Sequence, residues 1–221
     1  MVLYKSILRP RSGEASQNYP EVVTSLIKLR EILSSNRRYI EAEVTYKKIL
    51  VVIDNALGQD HQVFFNCLHN LGLLYFPQKK YSVAEALYKE VFEIMEKILY
   101  PYHPSIGICL GNLARAHLLQ GKYSKAKPLY QKSLEITEVA FGKNHTNVGY
   151  CLWNLAYIYQ KQWVIVHAER SYQRSLAVLT SSLGEEHPDT ERLEKEYKSF
   201  LRKKILIKWA KELMLFLRIP Q

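Results

Sequence analysis

One pattern recurs through most of this 221-residue chain at a fixed interval of 42 residues. The interval separates three Asn-Leu pairs that begin at Asn70, Asn112 and Asn154, and Lys28 begins a weaker first copy. One tyrosine and one alanine also recur at this interval. The tyrosines are Tyr46, Tyr88, Tyr130 and Tyr172, and the alanines are Ala42, Ala84, Ala126 and Ala168. Such a period is typical of a solenoid, in which each repeat contacts only its neighbours. A solenoid offers a groove more readily than a catalytic pocket, so the period predicts binding rather than catalysis.

Apolar residues inside each repeat have helical spacing. In the second repeat, Leu68, Leu71 and Tyr75 fall on one helix face. A polar turn at 77–80 precedes a second helix predicted over residues 81–99. Each repeat is therefore predicted to be a helical hairpin, and the fold is predicted to be all-α.

Glycines and prolines punctuate the predicted hairpins. Gly58, Gly142 and Gly184 follow the second helix of their repeats, where glycine permits a left-handed C-terminal turn. Tyr100 replaces this glycine in the second repeat and predicts a different exit there. Two of the junctions between repeats contain a proline, Pro104 and Pro188. Because proline is well suited to the first turn of a helix, each is predicted to begin the helix that follows.

The repeats divide the chain into three regions. The repeat array is predicted over residues 19–189, with repeats at 19–61, 62–103, 104–145 and 146–187. Residues 1–18 are interpreted as a linker and half-repeat, either the remainder of a longer array or a decayed cap. Residues 190–221 are predicted to form a capping helix followed by a basic, apolar tail.

The formal charge of +10 is unevenly distributed. Residues 1–38 carry 7 basic and 3 acidic side chains, residues 39–191 carry 15 of each, and residues 192–221 carry 9 basic and 3 acidic. The repeats are thus neutral and the excess lies near the two ends. Nucleic-acid binding requires a continuous basic face, which the period does not supply. The distribution therefore argues against nucleic acid as the partner.

Cysteine and histidine also follow the period. Cys67, Cys109 and Cys151 share one place on the first helices. Stacked helices lie about 10 Å apart, beyond the roughly 7 Å Cα limit for a disulfide. Free thiols, together with an N-terminus that lacks a signal-peptide layout, predict a cytoplasmic protein.

The periodic histidines do not form a metal set. They lie whole repeats apart and cannot converge on one ion; they are His61, His103, His145 and His187. The sequence contains no glycine-rich phosphate loop and no nucleophile–base arrangement. We therefore expect no cofactor, no metal and no enzymatic activity, and interpret the histidines as junction residues.

The motifs resemble the tetratricopeptide repeat. Its two helix signatures correspond to the segments Leu71-Gly72-Leu73-Leu74-Tyr75 and Ala84-Glu85-Ala86-Leu87-Tyr88. The 42-residue period, with Gly121-Lys122-Tyr123 and His187-Pro188, is similar to the kinesin light chain subclass. The resemblance implies a right-handed superhelical solenoid of about four hairpins plus a C-terminal capping helix. It also implies a scaffold that binds a short extended peptide of a partner protein in its concave groove.

The resemblance places a ligand site on the first helices. The asparagine of each Leu-Gly or Leu-Ala signature would bind the peptide backbone through its amide, which indicates Asn70, Asn112 and Asn154. Three residues further along the same helices lie Leu73, Arg115 and Tyr157, and one residue before the asparagines lie His69 and Trp153. The alternative for the asparagines is hydrogen bonding within the array.

Two of these positions predict ligand chemistry. Arg115 is the candidate for an acidic group on the ligand, and the alternative is a salt bridge on the groove wall. Trp153, Tyr150 and Tyr157 form an aromatic patch suited to an apolar anchor, and the alternative is core packing.

The C-terminal tail has several interpretations. Residues 205–219 are mostly apolar around Lys208, Lys211 and Glu212, too short and too charged to cross a bilayer, which takes about 20 apolar residues. The tail could continue the cap or contact the rest of a larger protein. It could also mediate self-association, which makes structural assembly the alternative to peptide binding. A basic amphipathic anchor for a membrane surface is a further interpretation.

Overall fold

The computed structural model describes residues 38–58 and 62–217, and these residues form eight α-helices and no β-strand. The helices are α1 Tyr39–Leu57, α2 Gln62–Leu73, α3 Tyr81–Ile98, α4 Pro104–Leu119, α5 Tyr123–Phe141, α6 Thr146–Lys161, α7 Ile165–Leu183 and α8 Pro188–Leu217. The all-α prediction is confirmed, and α3 ends one residue before the expected boundary. The predicted half-repeat, the first helix of the first repeat and His61 lie outside the described residues.

The chain divides into two compact units, one up to Leu129 and one from Tyr130. The described part of the N-terminal unit contains α1 to α4 and the start of α5. The C-terminal unit contains the rest of α5 and α6 to α8. The N-terminal unit contains the α2–α3 hairpin, and the C-terminal unit contains the α6–α7 hairpin with α8 packed against it.

The periodic alanines and tyrosines form the core of the second helices. The four alanines are 1% exposed or less and the four tyrosines 3% or less. The methyl group of alanine lets neighbouring helices approach closely, and each tyrosine ring fills the space beside it. Two of the buried phenols donate within their hairpins: Tyr88 Oη to the His69 carbonyl at 2.9 Å, and Tyr172 Oη to Gln160 at 2.8 Å.

The helix exits agree with the glycine prediction in φ but differ in ψ. Gly58 has φ 80° and ψ 170°, and Gly184 has φ 95° and ψ 162°. Positive φ with extended ψ lies outside the left-handed helical region and is accessible essentially only to glycine. The predicted left-handed turn is therefore wrong in detail, although glycine is still required. At the glycine-free exit of the second repeat, Leu99 adopts an ordinary extended conformation.

Each described junction histidine caps the helix that follows it. The Nδ1 atoms of His103, His145 and His187 accept the backbone N–H two residues later, at 3.2, 3.1 and 3.1 Å. The first N–H groups of a helix have no partner within it, so an accepting side chain at this place stabilises the helix. Pro104 and Pro188 directly follow two of these caps as the first helical residues, as predicted.

The cysteines are buried free thiols on the first helices. Cys109 Sγ lies 3.3 Å from the Tyr88 carbonyl, and Cys67 Sγ lies 3.9 Å from the Tyr46 carbonyl. Because these contacts are one period apart, the cysteines belong to the packing between each first helix and the preceding second helix. Among the described helices, none combines the length and apolarity needed to cross a bilayer.

Helix α8 is longer than the predicted cap. It continues for 30 residues to Leu217. Its first half packs on α7, where the Tyr172 ring lies 5.6 Å from that of Tyr197 and 5.4 Å from that of Phe200. Leu193 and Phe200 are buried. The cap and most of the tail are thus one helix.

Candidate functional site

In the N-terminal unit, successive first helices are joined by a contact between His69 and Asn112. Asn112 Nδ2 lies 3.1 Å from His69 Nδ1 and 3.0 Å from the Ile108 carbonyl. The amide has two N–H donors, and these two acceptors occupy both. Of the Asn112 amide, only Oδ1 could therefore take part in the expected contact with a peptide backbone.

Arg115 lies one turn further along α4 and is exposed. Its Cζ is 4.5 Å from the centroid of the Phe76 ring, and this cation–π contact holds the guanidinium in place. Among the described residues, no carboxylate oxygen lies within ion-pair distance of Arg115. The side chain is thus held in place while its charge is not neutralised.

Asn70 and Leu73 lie on α2 next to this contact. Asn70 directly follows His69, and both Asn70 and Leu73 are half-buried. The five positions predicted on α2 and α4 are thus brought to one pair of neighbouring helices; they are His69, Asn70, Leu73, Asn112 and Arg115.

A cavity of about 90 Å³ lies beside His69. Its apolar interior is formed by the buried residues Phe65, Tyr88, Val91, Met95 and Cys109. Asn66 is exposed and His69 and Ile108 are half-buried, so these side chains form the rim. The cavity has the size and lining to receive one aliphatic side chain. The cavity was not predicted, because the sequence does not show how closely α2, α3 and α4 pack around it.

In the C-terminal unit, the predicted aromatic patch is covered by α8. Trp153 is 7% exposed, and its Nε1 donates to Glu196 at 2.7 Å. The guanidinium of Arg192 lies 4.6 Å from its ring centroid. Tyr150 Oη donates to Asp189 at 2.6 Å, and burial together with this bond raises the pKa of Tyr150 to about 12. Trp153 and Tyr150 are therefore packed against α8 in the structure, which corresponds to the alternative of core packing.

Asn154 and Tyr157 are the remaining predicted residues. Asn154 Nδ2 donates to the Tyr150 carbonyl of its own helix at 2.8 Å. Tyr157 is half-buried, and Lys161 Nζ lies 5.2 Å from its ring centroid. Both side chains are on α6, on the side of the helix that carries Tyr150.

Glu196, which accepts from Trp153, was not among the predicted residues. It lies one period after Asn154 and so takes the asparagine position of the next repeat. The repeat array was predicted to end at residue 189, before this position. The period itself was the available signal, because it predicts that position 196 contacts position 153 as 112 contacts 69.

A polar cluster around Glu85 fixes the turn between α4 and α5 onto α3. The Glu85 carboxylate accepts from Gln120 at 2.7 Å and from Lys122 at 3.1 Å, and His117 Nδ1 lies 3.6 Å away. Burial opposes ionisation of Glu85, but the Gln120 and Lys122 hydrogen bonds lower its pKa overall. Burial lowers the pKa of His117.

A second groove, of about 420 Å³, lies among α5, α6 and α7 within the C-terminal unit. Its floor includes Leu152, Leu155 and Tyr159. Across it Glu138 and Arg174 form an ion pair. Because the charges of the two walls neutralise each other, this groove shows no preference for a ligand of either sign.

Family models described as tetratricopeptide repeat match most of the chain. One matches residues 21–97, 63–138 and 110–162, and another matches residues 148–189. No curated protein matches the chain significantly.

Solved structures of similar fold come from kinesin light chain-like proteins. Nearly identical TPR-like repeats of a candidate kinesin light chain from Podosopora anserina match with TM-score 0.68 and 22% identity, covering 91% of this chain and 96% of that chain. A Q17M form of that protein matches with TM-score 0.69 and 21% identity, covering 91% and 95%. BtubC (BKLC) from P. vanneervenii matches with TM-score 0.69 and 19% identity, covering 92% and 85%. At these identities the likeness establishes the fold, a solenoid of helical hairpins.

Proposed function

Because the chain belongs to the tetratricopeptide repeat family, we propose that it is a non-enzymatic scaffold that binds a short extended segment of another protein along its first helices. Tetratricopeptide repeats generally mediate protein–protein interactions and generally lack catalysis. The finer proposal concerns α2 and α4 of the N-terminal unit. There an extended main chain would meet Asn112, its side chains would meet Arg115, and the 90 Å³ cavity would take an apolar residue.

The observation that carries the proposal is the un-neutralised charge of Arg115. An exposed arginine normally gains little from fixed placement, since ordering its side chain costs conformational entropy. Here the Phe76 ring meets that cost in part by holding the guanidinium at 4.5 Å. A guanidinium held in this way is suited to bidentate recognition of a carboxylate. We therefore propose an acidic residue in the bound segment.

Asn112 supports backbone recognition. Its Nδ2 is fixed by Ile108 and His69 at 3.0 and 3.1 Å, so the orientation of Oδ1 is set before a ligand arrives. A fixed acceptor suits a main-chain N–H of an extended peptide, and pre-organisation reduces the entropic cost of binding.

The spacing of the two side-chain sites suggests the ligand pattern. Ile108 at the cavity rim and Arg115 are seven residues apart on α4, which is roughly 10 Å of helix. An extended peptide covers this distance in about three residues. We therefore propose a segment with an acidic residue and an aliphatic residue at positions i and i+3, in either order.

Fluorescence anisotropy with labelled ten-residue peptides tests this proposal. One peptide carries Glu and Leu at i and i+3, and isomeric peptides carry the same residues at i and i+1 or i and i+6. We expect the i,i+3 peptide to bind most tightly. Arg115→Ala is expected to weaken it about tenfold or more, since a charge-assisted hydrogen bond contributes about 1.5–3 kcal/mol.

Arg170→Ala is the matched control, because Arg170 is also an exposed helical arginine. Arg115→Glu should restore binding of a peptide in which Lys replaces Glu. Asn112→Ala should weaken all peptides alike, since Oδ1 would bind the main chain. Equal effects of the two arginine substitutions, or equal binding of the three spacings, would contradict the proposal.

A further inference from the structure

The C-terminal unit exposes large apolar side chains at one end. Trp163 is 71% and Val166 64% exposed at the start of α7, and on α8 Ile205 is 54%, Leu206 68% and Trp209 69% exposed. We call these five residues the tip patch. Folded proteins rarely leave several large apolar side chains together in water, and such patches mark interaction surfaces.

The packing of α8 on α7 brings the two halves of the tip patch to the same end of the unit. Phe200 contacts Tyr172, and Lys204 Nζ donates to Glu169 at 2.5 Å, so residue numbers run in opposite directions along the two helices. Continuing this register places residue 208 opposite the first residue of α7. Trp209 therefore lies beside the α6–α7 turn that carries Trp163, and Ile205 and Leu206 lie beside the first turn of α7, which carries Val166.

The rotation of α8 directs its part of the tip patch away from α7. Successive residues of a helix are rotated by about 100°, so Leu206 lies about 200° and Trp209 about 140° from Lys204. The Lys204–Glu169 bond fixes Lys204 towards α7. The opposite stripe of α8 is thus presented to solvent, in agreement with the exposure of Leu206 and Trp209.

Trp163 occupies a turn position that ordinarily favours glycine. The equivalent residues of the preceding hairpins, Gly121 and Lys79, have φ of 73° and 57°, and Trp163 has φ of 60°. A bulky residue at positive φ is strained, and strain of this kind is frequent at functional sites. The residue that follows is Lys80 or Lys122 in the other two turns and Val164 here. This turn thus replaces small and charged residues with apolar ones.

The charge beside the tip patch selects the occupant. Residues 198–211 contain six basic residues and no acidic residue: Lys198, Arg202, Lys203, Lys204, Lys208 and Lys211. A second copy of the chain would bring two such stretches together, and like charges at close range oppose association. Anionic lipid headgroups attract basic residues at a membrane surface, and tryptophan is enriched at the depth of the headgroups.

We propose that the tip patch docks on the surface of an anionic membrane. Trp163 and Trp209 enter the headgroup region from two separate elements, and the exposed Arg202 and Lys203 bind lipid phosphates. Each side chain of the tip patch is more than half exposed, so none of them is enclosed in a pocket. An exposed apolar surface suits a bilayer, whereas a peptide ligand requires a concave one.

Vesicle co-sedimentation tests the proposal with the full chain. We expect binding to vesicles of 70% phosphatidylcholine and 30% phosphatidylserine, and little binding to pure phosphatidylcholine. Binding should weaken as salt rises from about 0.05 to 0.5 M, because the electrostatic part is screened. Trp163→Gly and Trp209→Ser should each weaken binding about tenfold, since each removes a large apolar anchor.

The controls separate docking from folding. Trp163→Gly should keep or raise the melting temperature, since Gly121 occupies the same turn position in the preceding hairpin. Val139→Ser removes an apolar side chain that is 66% exposed on α5 and should leave vesicle binding unchanged. In single-tryptophan variants, vesicles should shift the emission of Trp163 and Trp209 to the blue and leave that of buried Trp153 unchanged.

Three results would overturn the proposal. One is equal binding to neutral and anionic vesicles, or none to either. Another is a stable dimer in light scattering that dissociates on Trp209→Ser, which would assign the patch to a second copy. The third is unchanged vesicle binding by the Trp163→Gly, Trp209→Ser double variant.

Discussion

The contact between His69 and Asn112 in the N-terminal unit has a counterpart in the C-terminal unit, two periods later, between Trp153 and Glu196. The positions are the same in the repeat, but the side chains differ. In the N-terminal unit the contact is between a small ring and a neutral amide, and a cavity of about 90 Å³ lies beside it. In the C-terminal unit an indole donates to a carboxylate beneath an arginine.

Three rim positions account for this difference. Asn66, His69 and Ile108 in the N-terminal unit correspond to Tyr150, Trp153 and Arg192 in the C-terminal unit. The side chains at these positions are larger in the C-terminal unit, where Tyr150 and Trp153 donate to Asp189 and Glu196 of α8 and Arg192 of α8 lies over the indole. The same backbone arrangement therefore gives an open face or a closed one, depending on side-chain volume and charge at a few equivalent positions.

Among the substitutions that test this difference between the units, removal of the Trp153 indole should have the largest effect on stability. Trp153→Ala is expected to lower the free energy of unfolding by about 3–5 kcal/mol, because it empties a buried site and leaves the Glu196 carboxylate without its donor. His69→Ala at the equivalent position should cost about 1 kcal/mol. Urea unfolding followed by circular dichroism measures both.

Glu196→Gln is the control for the charge of this contact. It keeps an acceptor for Trp153 Nε1, so its cost should stay below about 1 kcal/mol. Equal losses for Trp153→Ala and His69→Ala would show that the two contacts are equivalent in energy as well as in register.

Close helix contacts also differ between the two units. A Cβ at Gly149 would lie 2.5 Å from Leu179 Cδ2, and the site is buried, so Gly149→Ala should cost about 1–3 kcal/mol. Gly72→Ala should cost less, although its Cβ would meet the end of the Tyr88 ring, since Ala114 and Ala156 occupy the equivalent position of other hairpins. Thermal unfolding of the two variants checks the order, and the reverse order would refute it.

Filling the N-terminal cavity should convert an open face into a closed one. His69→Trp places the residue of the C-terminal unit into the N-terminal unit. We expect binding of the i,i+3 peptide to weaken about tenfold while the free energy of unfolding changes by less than about 1.5 kcal/mol. Anisotropy and urea titration measure the two quantities. A peptide in which Ala replaces Leu should lose nothing further on His69→Trp, and a further loss would argue against the cavity as the anchor site.

A pH titration examines the helix caps. Burial lowers the pKa of His103, and only its neutral ring can accept the Ser105 N–H. The stabilisation is therefore fully present above the unfolded pKa of about 6.5 and is lost as pH falls below it. We expect a loss of about 1 kcal/mol from this cap between pH 7.5 and 5.5. His103→Asn keeps an acceptor without titrating, and an unchanged pH slope in that variant would refute the role.

The rate at which the buried cysteines react with a thiol reagent measures how readily each unit opens. This is the smallest of the expected effects. Burial raises the pKa of Cys67 to about 12 and that of Cys151 to about 11. At pH 8 neither should react with a thiol reagent in the folded protein, since the thiolate is the nucleophile. Trp153→Ala should therefore speed modification of Cys151 more than that of Cys67. Mass spectrometry of modified peptides distinguishes the two sites, and equal rates would indicate that the units open together.

The repeat made most of the fold predictable. Periodic alanines, tyrosines and glycines specify helix packing and helix exits locally, and the described helices follow them. The extent of α8 was less accessible, because the tail is apolar on several sides and its pattern alone does not show where the cap ends. The histidine caps were not foreseen, since histidine is uncommon as a capping residue and the period indicates only that a junction recurs.

The candidate site was predictable in position but not in detail. The register placed His69, Asn112 and Arg115 on neighbouring first helices. It did not show that Phe76 supports Arg115, or that Ile108 and His69 use both Asn112 donors. It also did not show whether Trp153 is open or covered, because that depends on Glu196 and Arg192, which belong to a helix outside the repeat pattern.

Helix α8 has no glycine or proline between residues 189 and 217, and therefore none of the usual positions at which a helix bends. Glu196 and Trp209 are thirteen residues apart along it, about 20 Å of continuous backbone hydrogen bonding. The carboxylate that accepts from the Trp153 indole and the tryptophan of the tip patch thus belong to one uninterrupted helix, so an axial shift of Trp209 would move Glu196 with it.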